Sequence, residues 1–166
     1  MQRRRLLVSA ALAGLTSLGG CGFELRKEPE FLFQRLALSG FAPGSPFAIE
    51  LRRQLMRSPV KVVEDTNQAE VVLVALQDVR DKVVVSSTVA GQVREWQLRL
   101  SVDYLLRTPN DELLLPRTEL RLVREMNYTE ERALGKEQEE AQLHRAMQSD
   151  AVAQVMRRLT AVRLPG

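Results

Sequence analysis

Along residues 93–106 apolar and polar positions alternate. Trp96, Leu98, Leu100, Val102, Tyr104 and Leu106 fall on one parity, and Gln97, Arg99, Ser101, Asp103 and Leu105 on the other. A period of two over that length predicts a strand with one buried face and one wet face. Thr108-Pro109-Asn110-Asp111 is turn chemistry. Beyond it, in residues 113–127, Leu120, Leu122 and Met126 share a parity with Arg124. The two runs predict a hairpin. Upstream, residues 71–76 form a continuous apolar run, as in a strand buried on both faces. The β-branched stretch 82–89 predicts a separate strand paired with its successor. Residues 34–38, with Leu36 and Leu38 on one face, and residues 60–63 predict two short strands.

Two segments change to helical spacing. Ser45-Pro46 reads as an N-cap followed by a first helical residue, because the hydroxyl accepts an orphan N–H and proline has none to lose. Phe47, Leu51 and Leu55 follow four apart beside Ala48, Arg52, Arg53 and Arg57 face elsewhere, and Ser58-Pro59 ends the helix. Over residues 130–160, Leu143, Met147, Ala151 and Val155 recur every four residues, and Val152, Met156 and Leu159 widen the stripe. The first half is highly charged and the second greasier, so the C-terminal half is expected on the sheet. The order predicts an α+β fold, a two-layer sandwich of about four mostly antiparallel strands with two helices packed on one face.

The N-terminus follows a different logic. Arg3, Arg4 and Arg5 precede an apolar run over residues 6–18, then Gly19, Gly20 and Cys21, the only cysteine. A positive start, a short apolar core and small residues before a cut describe a secretory signal peptide. The run is shorter than the ~20 residues that span a bilayer. A cysteine just after the cut resembles the bacterial lipobox, which implies a diacylglycerol thioether on Cys21 and a third acyl chain on its freed amine. Three chains, at ~0.8 kcal/mol per buried CH₂, would anchor the protein stably. The expected division is therefore a signal peptide at 1–20, a lipidated tether at 21–33 and one domain at 34–166. Gly22, rather than Asp, follows the cysteine. In enterobacteria this absence of an inner-membrane retention signal directs a lipoprotein to the outer membrane. The arginines also fit a twin-arginine pattern loosely, so the export route stays open.

Loss of the signal changes the charge picture. The chain has 24 basic and 21 acidic residues, and Arg3, Arg4 and Arg5 account for the whole excess. A balanced mature chain gives no electrostatic reason to expect nucleic acid. Without a second cysteine its stability must come from packing. His144 is the only histidine and sits among helical residues, so a solvated or edge position is expected and no metal site. Glu130, Glu131, Glu137, Glu139 and Glu140 read as a solvated helix start. No Ser-His-Asp cluster or glycine-rich phosphate loop can be placed, so neither catalysis nor a cofactor is expected. Arg94, Arg99, Arg117, Arg121 and Arg124 lie along the hairpin. Guanidinium suits phosphate, but surface pairing with Asp103, Glu119 and Glu125 is the commoner use. Leu105 and Val123 on the wet face hint at a contact there.

Several stretches, in order, carry a resemblance. They are Cys21-Gly22-Phe23-Glu24-Leu25-Arg26; Leu51-Arg52-Arg53-Gln54-Leu55 in the first helix; Ala90-Gly91-Gln92-Val93-Arg94-Glu95-Trp96-Gln97-Leu98 leading into the long strand; Val123-Arg124 in its hairpin partner; and Ala133-Leu134-Gly135-Lys136-Glu137-Gln138-Glu139, which opens a helix ending Arg157-Arg158-Leu159. Over nearly the whole mature chain this resembles LptE, the lipopolysaccharide-assembly lipoprotein family. The resemblance implies a non-enzymatic protein on the periplasmic side of the outer membrane. It would plug an outer-membrane β-barrel lipopolysaccharide-assembly protein (LptD-like), help it assemble and bind lipopolysaccharide. Lys136 matches a family position implied to touch glycolipid phosphates. A second basic position falls near Val89, with Arg94 close enough to take its place. An auxiliary lipoprotein of a lipid-trafficking ABC system and a lipoprotein hydrolase are the alternatives.

Cys21→Ser should leave an uncleaved, unacylated precursor, because the thiol is the acyl acceptor. Intact-mass measurement of the purified wild-type protein checks this. A mass starting at Met1, or one without a lipid adduct, would overturn the anchor.

Overall fold

The computed structural model describes residues 30–129 and 133–164. The signal peptide, Cys21 and most of the expected tether therefore lie outside the described residues. The elements run β1 (Arg35–Ser39), α1 (Pro46–Leu55), β2 (Lys61–Val63), a 3-10 turn (Thr66–Gln68), β3 (Val71–Ser87), β4 (Val93–Arg107), β5 (Leu113–Asn127) and α2 (Ala133–Thr160). One five-stranded sheet has the order β2-β1-β3-β4-β5. β1 is parallel to both β2 and β3, while β3, β4 and β5 form an antiparallel meander. The expected α+β sandwich is present, with the short 60–63 segment supplying a fifth strand at the edge.

Local chemistry sets the ends of α1. The Ser45 hydroxyl accepts from Ala48 N–H at 3.0 Å, and Pro46 opens the helix. The same hydroxyl donates to Asp78 on β3, so the cap also ties α1 to the sheet. Phe47, Leu51 and Leu55 are buried on its inner side.

The core lies between the helices and one face of the sheet. Leu98, Leu100, Val102, Tyr104 and Leu106 of β4 are buried there with Leu120 and Leu122 of β5 and Leu73 of β3. Met147, Ala151, Val155 and Leu159 of α2 belong to the same cluster. Both predicted stripes meet in this seam. A second, smaller cluster of Ala37, Ala69 and Val72 gathers around β1 and β3.

One expectation is corrected. Residues 71–76 and 82–89 are not separate strands. A single 17-residue strand, β3, runs through Asp78, Arg80 and Asp81 and ends at Ser87. The register with β4 slips between Ala75 and Gln77. This bulge inserts one residue and reverses which parity faces the helices. Leu73 and Ala75 face them before it, whereas Asp78, Arg80 and Lys82 lie opposite the helix-facing Val102, Leu100 and Leu98 after it. Polar groups of the helices then meet these charges. Arg80 donates to Gln148 at 3.3 Å, and Lys82 pairs with Glu140. Gly40 follows β1 at φ 77°, and a Cβ there would lie 2.3 Å from the Ala75 carbonyl oxygen. The backbone can cross the bulge only without a side chain.

Leu100→Asp should place an unpaired charge in this core and destabilise the fold by ~3 kcal/mol or more. Arg99→Asp, on the far face, should cost about 0.5 kcal/mol at most. Urea denaturation of both variants checks the contrast; equal midpoints would mean that the faces are wrongly assigned.

Candidate functional site

The sheet, α2 and the β3–β4 turn converge at one end of the molecule. In the turn, Thr88 N–H donates to the Gln92 carbonyl at 2.7 Å, Gly91 N–H to the Thr88 carbonyl at 2.9 Å, and Gln92 N–H to the Thr88 hydroxyl at 3.1 Å. Gly91 supplies the left-handed residue, at φ 81°. Val89 stands fully exposed at the tip. Arg94 follows near the start of β4. Its side chain is exposed, and its carbonyl accepts from Tyr128 N–H at 2.8 Å. The Tyr128 ring meets Trp96 edge-on, with centroids 6.4 Å apart. On the helix side, Lys82 Nζ sits 4.4 Å from the Trp96 ring centroid while pairing with Glu140. The ammonium thus meets the face of the indole and the carboxylate at once.

Lys136 lies one turn before Glu140 and so continues α2 toward this same end. Its ammonium is 2.7 Å from Glu139, and its side chain is only 18 % exposed. The two candidate cations therefore sit at a common end in unequal states. Arg94 is exposed and has no ion-pair partner among the described residues, whereas Lys136 is engaged within its own helix.

The other hairpin arginines are used in pairs. Arg117 and Arg121 both bind Asp103, and Glu119 flanks them at 3.3 and 3.4 Å. Asp103 was expected on a wet face, yet it is 0 % exposed. It lies on the sheet surface under a roof of arginine side chains. The hydrogen bond from Arg121, reinforced by Arg117, outweighs the cost of covering it and holds its carboxyl below the usual carboxylate range. Arg124 pairs with Asp150 of α2 at 3.1 Å, and Arg99 donates to Gln97 at 2.7 Å. On this far face Val123 is exposed and Leu105 partly covered.

His144 takes the edge position rather than the solvated one. Its side chain is 11 % exposed and its Nδ1 is buried without a partner. It borders a depression of about 380 Å³ that Arg80, Glu137, Glu140 and Arg145 also line. Burial pushes its pKa down, Arg80 and Lys82 push the same way, and Glu140 opposes them. No cluster of three or more metal-ligating side chains occurs among the described residues. No described helix is long and apolar enough to cross a membrane.

The fold therefore disfavours protonated His144, and the sign follows. Stability should be complete above the ordinary histidine value of 6.5 and fall as pH drops below it through the lowered native value. His144→Gln should flatten that slope. A melting-temperature profile from pH 7.5 to 5 checks this, and parallel profiles would assign the slope to other groups. Asp103 acts in a separate window, because its contribution is lost only as pH falls below 3.8.

Comparison with known proteins completes the picture. The family model LptE, described as lipopolysaccharide-assembly, matches residues 33–159. The LPS-assembly lipoprotein LptE of Photorhabdus laumondii is 28% identical over 164 residues, covering 98% of this chain and 88% of that protein. Its namesake in Yersinia enterocolitica is 30% identical over 167 residues, covering 98% and 78%. Among solved structures, uncharacterized lipoprotein B from Nitrosomonas europaea is 31% identical with a TM-score of 0.71, covering 84% of this chain and 91% of that one. A minor lipoprotein from Acinetobacter baumannii, 21% identical with a TM-score of 0.65 over 82% of this chain and 100% of that one, shares the fold.

Proposed function

We propose, since this chain belongs to the LptE lipopolysaccharide-assembly family, that it supports lipopolysaccharide assembly at the outer membrane by binding and scaffolding, without catalysis. The match from residue 33 to residue 159 carries this reading, because it takes in every strand of the sheet and nearly all of α2. Two relatives that align with almost the entire chain are named as LPS-assembly lipoproteins. In this reading Cys21 holds the protein by acyl chains on the periplasmic side of the membrane. An LptD-like β-barrel is its protein partner, with the domain seated as a plug.

Arg94 and Lys136 are the proposed contacts with glycolipid phosphate. Arg94 is the readier of the two, because among the described residues its exposed guanidinium pairs with no carboxylate and can offer its fork to phosphate. Lys136 must share its charge with Glu139. The two lie at the end where the β3–β4 turn leaves the body of the fold, so a bulky headgroup can approach without disturbing the core.

Arg94→Asp should weaken lipopolysaccharide binding about threefold at low salt, as expected of an exposed charge, and Lys136→Asp somewhat less, because its ammonium is already shared with Glu139. Together they should weaken it about tenfold with no drop in melting temperature, and the difference should shrink at high salt. Titration by microscale thermophoresis checks the binding; equal affinities for the wild type and the double variant would remove this site. Mild detergent extraction followed by affinity capture tests the scaffold, since a large outer-membrane barrel should co-purify. Capture of an ATPase complex instead would favour the ABC-system alternative.

A further inference from the structure

Helices α1 and α2 leave between them a groove of about 630 Å³. It lies far from Arg94 and Lys136, because Met156 on its wall is 20 residues along α2 from Lys136, or ~30 Å at helical rise. The lining is amphipathic. Val152 is buried at the base, and Ala153 and Met156 are partly exposed beside it. Arg57, just past the end of α1, and Arg157, in the last turn of α2, stand exposed on the rim.

Arginines elsewhere in the described fold are often neutralised. Arg35, Arg52, Arg53, Arg107, Arg117, Arg121 and Arg124 all reach a carboxylate. Among the described residues, Arg57 and Arg157 have no ion-pair partner, and Glu30 is the only carboxylate lining the groove. Two guanidiniums to one carboxylate leave the rim net positive over an apolar base, which fits a ligand with an anionic head and a hydrocarbon shoulder. The volume lies within the range of small-molecule sites. Glu30 adds a positional constraint. It is nine residues from Cys21, a span of at most ~30 Å when fully extended. An acyl anchor on Cys21 would therefore keep the groove close to the bilayer surface.

We infer that this groove holds the headgroup and upper acyl segment of an anionic glycerophospholipid, with Arg57 and Arg157 on the phosphate and Met156 and Ala153 against the chain. The inference rests on the Cys21 anchor only for bringing the groove to a membrane. Its chemistry stands on the groove itself.

Native mass spectrometry of the full purified protein, released from detergent after incubation with phosphatidylglycerol or phosphatidylcholine of identical chains, tests it. Phosphatidylglycerol adducts should exceed phosphatidylcholine adducts about fivefold, the scale of one or two charge-assisted contacts. Arg57→Glu with Arg157→Glu should remove the excess at unchanged melting temperature, and Arg57→Gln with Arg157→Gln should reduce it. Met156→Asp should lower both adducts. Equal adducts for the two lipids, or an excess that survives both arginine pairs, would overturn the inference. So would a double variant that loses lipopolysaccharide but keeps phosphatidylglycerol. The mass at Cys21 in the same spectra reports the anchor separately, so failure of one reading does not conceal the other.

Discussion

Leu98, Leu100, Val102, Tyr104 and Leu106 are withdrawn from water on one face of β4, and Met147, Ala151, Val155 and Leu159 of α2 share their cluster. Each of the leucines, valines and methionine among them is worth ~1.5–3 kcal/mol on burial, and no disulfide is available within a chain that has one cysteine. The fold depends on this seam. Strand and helix each present a stripe that neither can hide alone. Their union fixes how far α2 can run along the sheet, and thus where its two ends fall. The end bearing Lys136 is carried out to the β3–β4 turn, and the end bearing Arg157 is set beside α1.

The seam also explains why charge is tolerated on the helix-facing side of β3. Past the bulge, the positions that would extend the core are Asp78, Arg80 and Lys82, and the helices answer them with Ser45, Gln148 and Glu140. Hydrophobic fit at one end of α2 gives way to polar pairing at the other. The change in composition along α2 matches this change in what it covers. Gly40 matters for the same reason, since its backbone packs on the residue where β3 reverses its parity.

Much of this was legible in the chain because it is written locally. The alternation in β4, the Ser45-Pro46 cap and the four-residue stripe of α2 are short-range patterns whose meaning survives folding. The continuity of β3 was not legible. A stretch carrying Gln77, Asp78, Arg80 and Asp81 looks like a turn until Ser45, 33 residues before Asp78, and Gln148, 68 residues after Arg80, meet its charges. Asp103 was misjudged for a related reason: parity says which face a residue occupies, not whether arginines will fold down over it. His144 takes the edge place its helix pattern allows, but the β3 charges beside it, Arg80 and Lys82, are not revealed by any pattern within its own helix. Lys136 and Arg94 came from resemblance. Arg57 and Arg157, 100 residues apart in the chain, have no local signal that joins them at one groove.

β5 lies at the outer edge of the sheet with 15 residues of backbone on its unpaired side. Such an edge is a template on which a second chain can add a strand. Pro116 falls where the β4–β5 register skips, between the Tyr104–Thr118 and Leu106–Leu115 pairs, and it offers no N–H for a newcomer. Arg117, Glu119, Arg121, Arg124 and Glu125 place charge along the rest of the strand. A charged edge interrupted by proline resists self-association, so the length of this open edge does not commit the domain to adding a strand from a second copy.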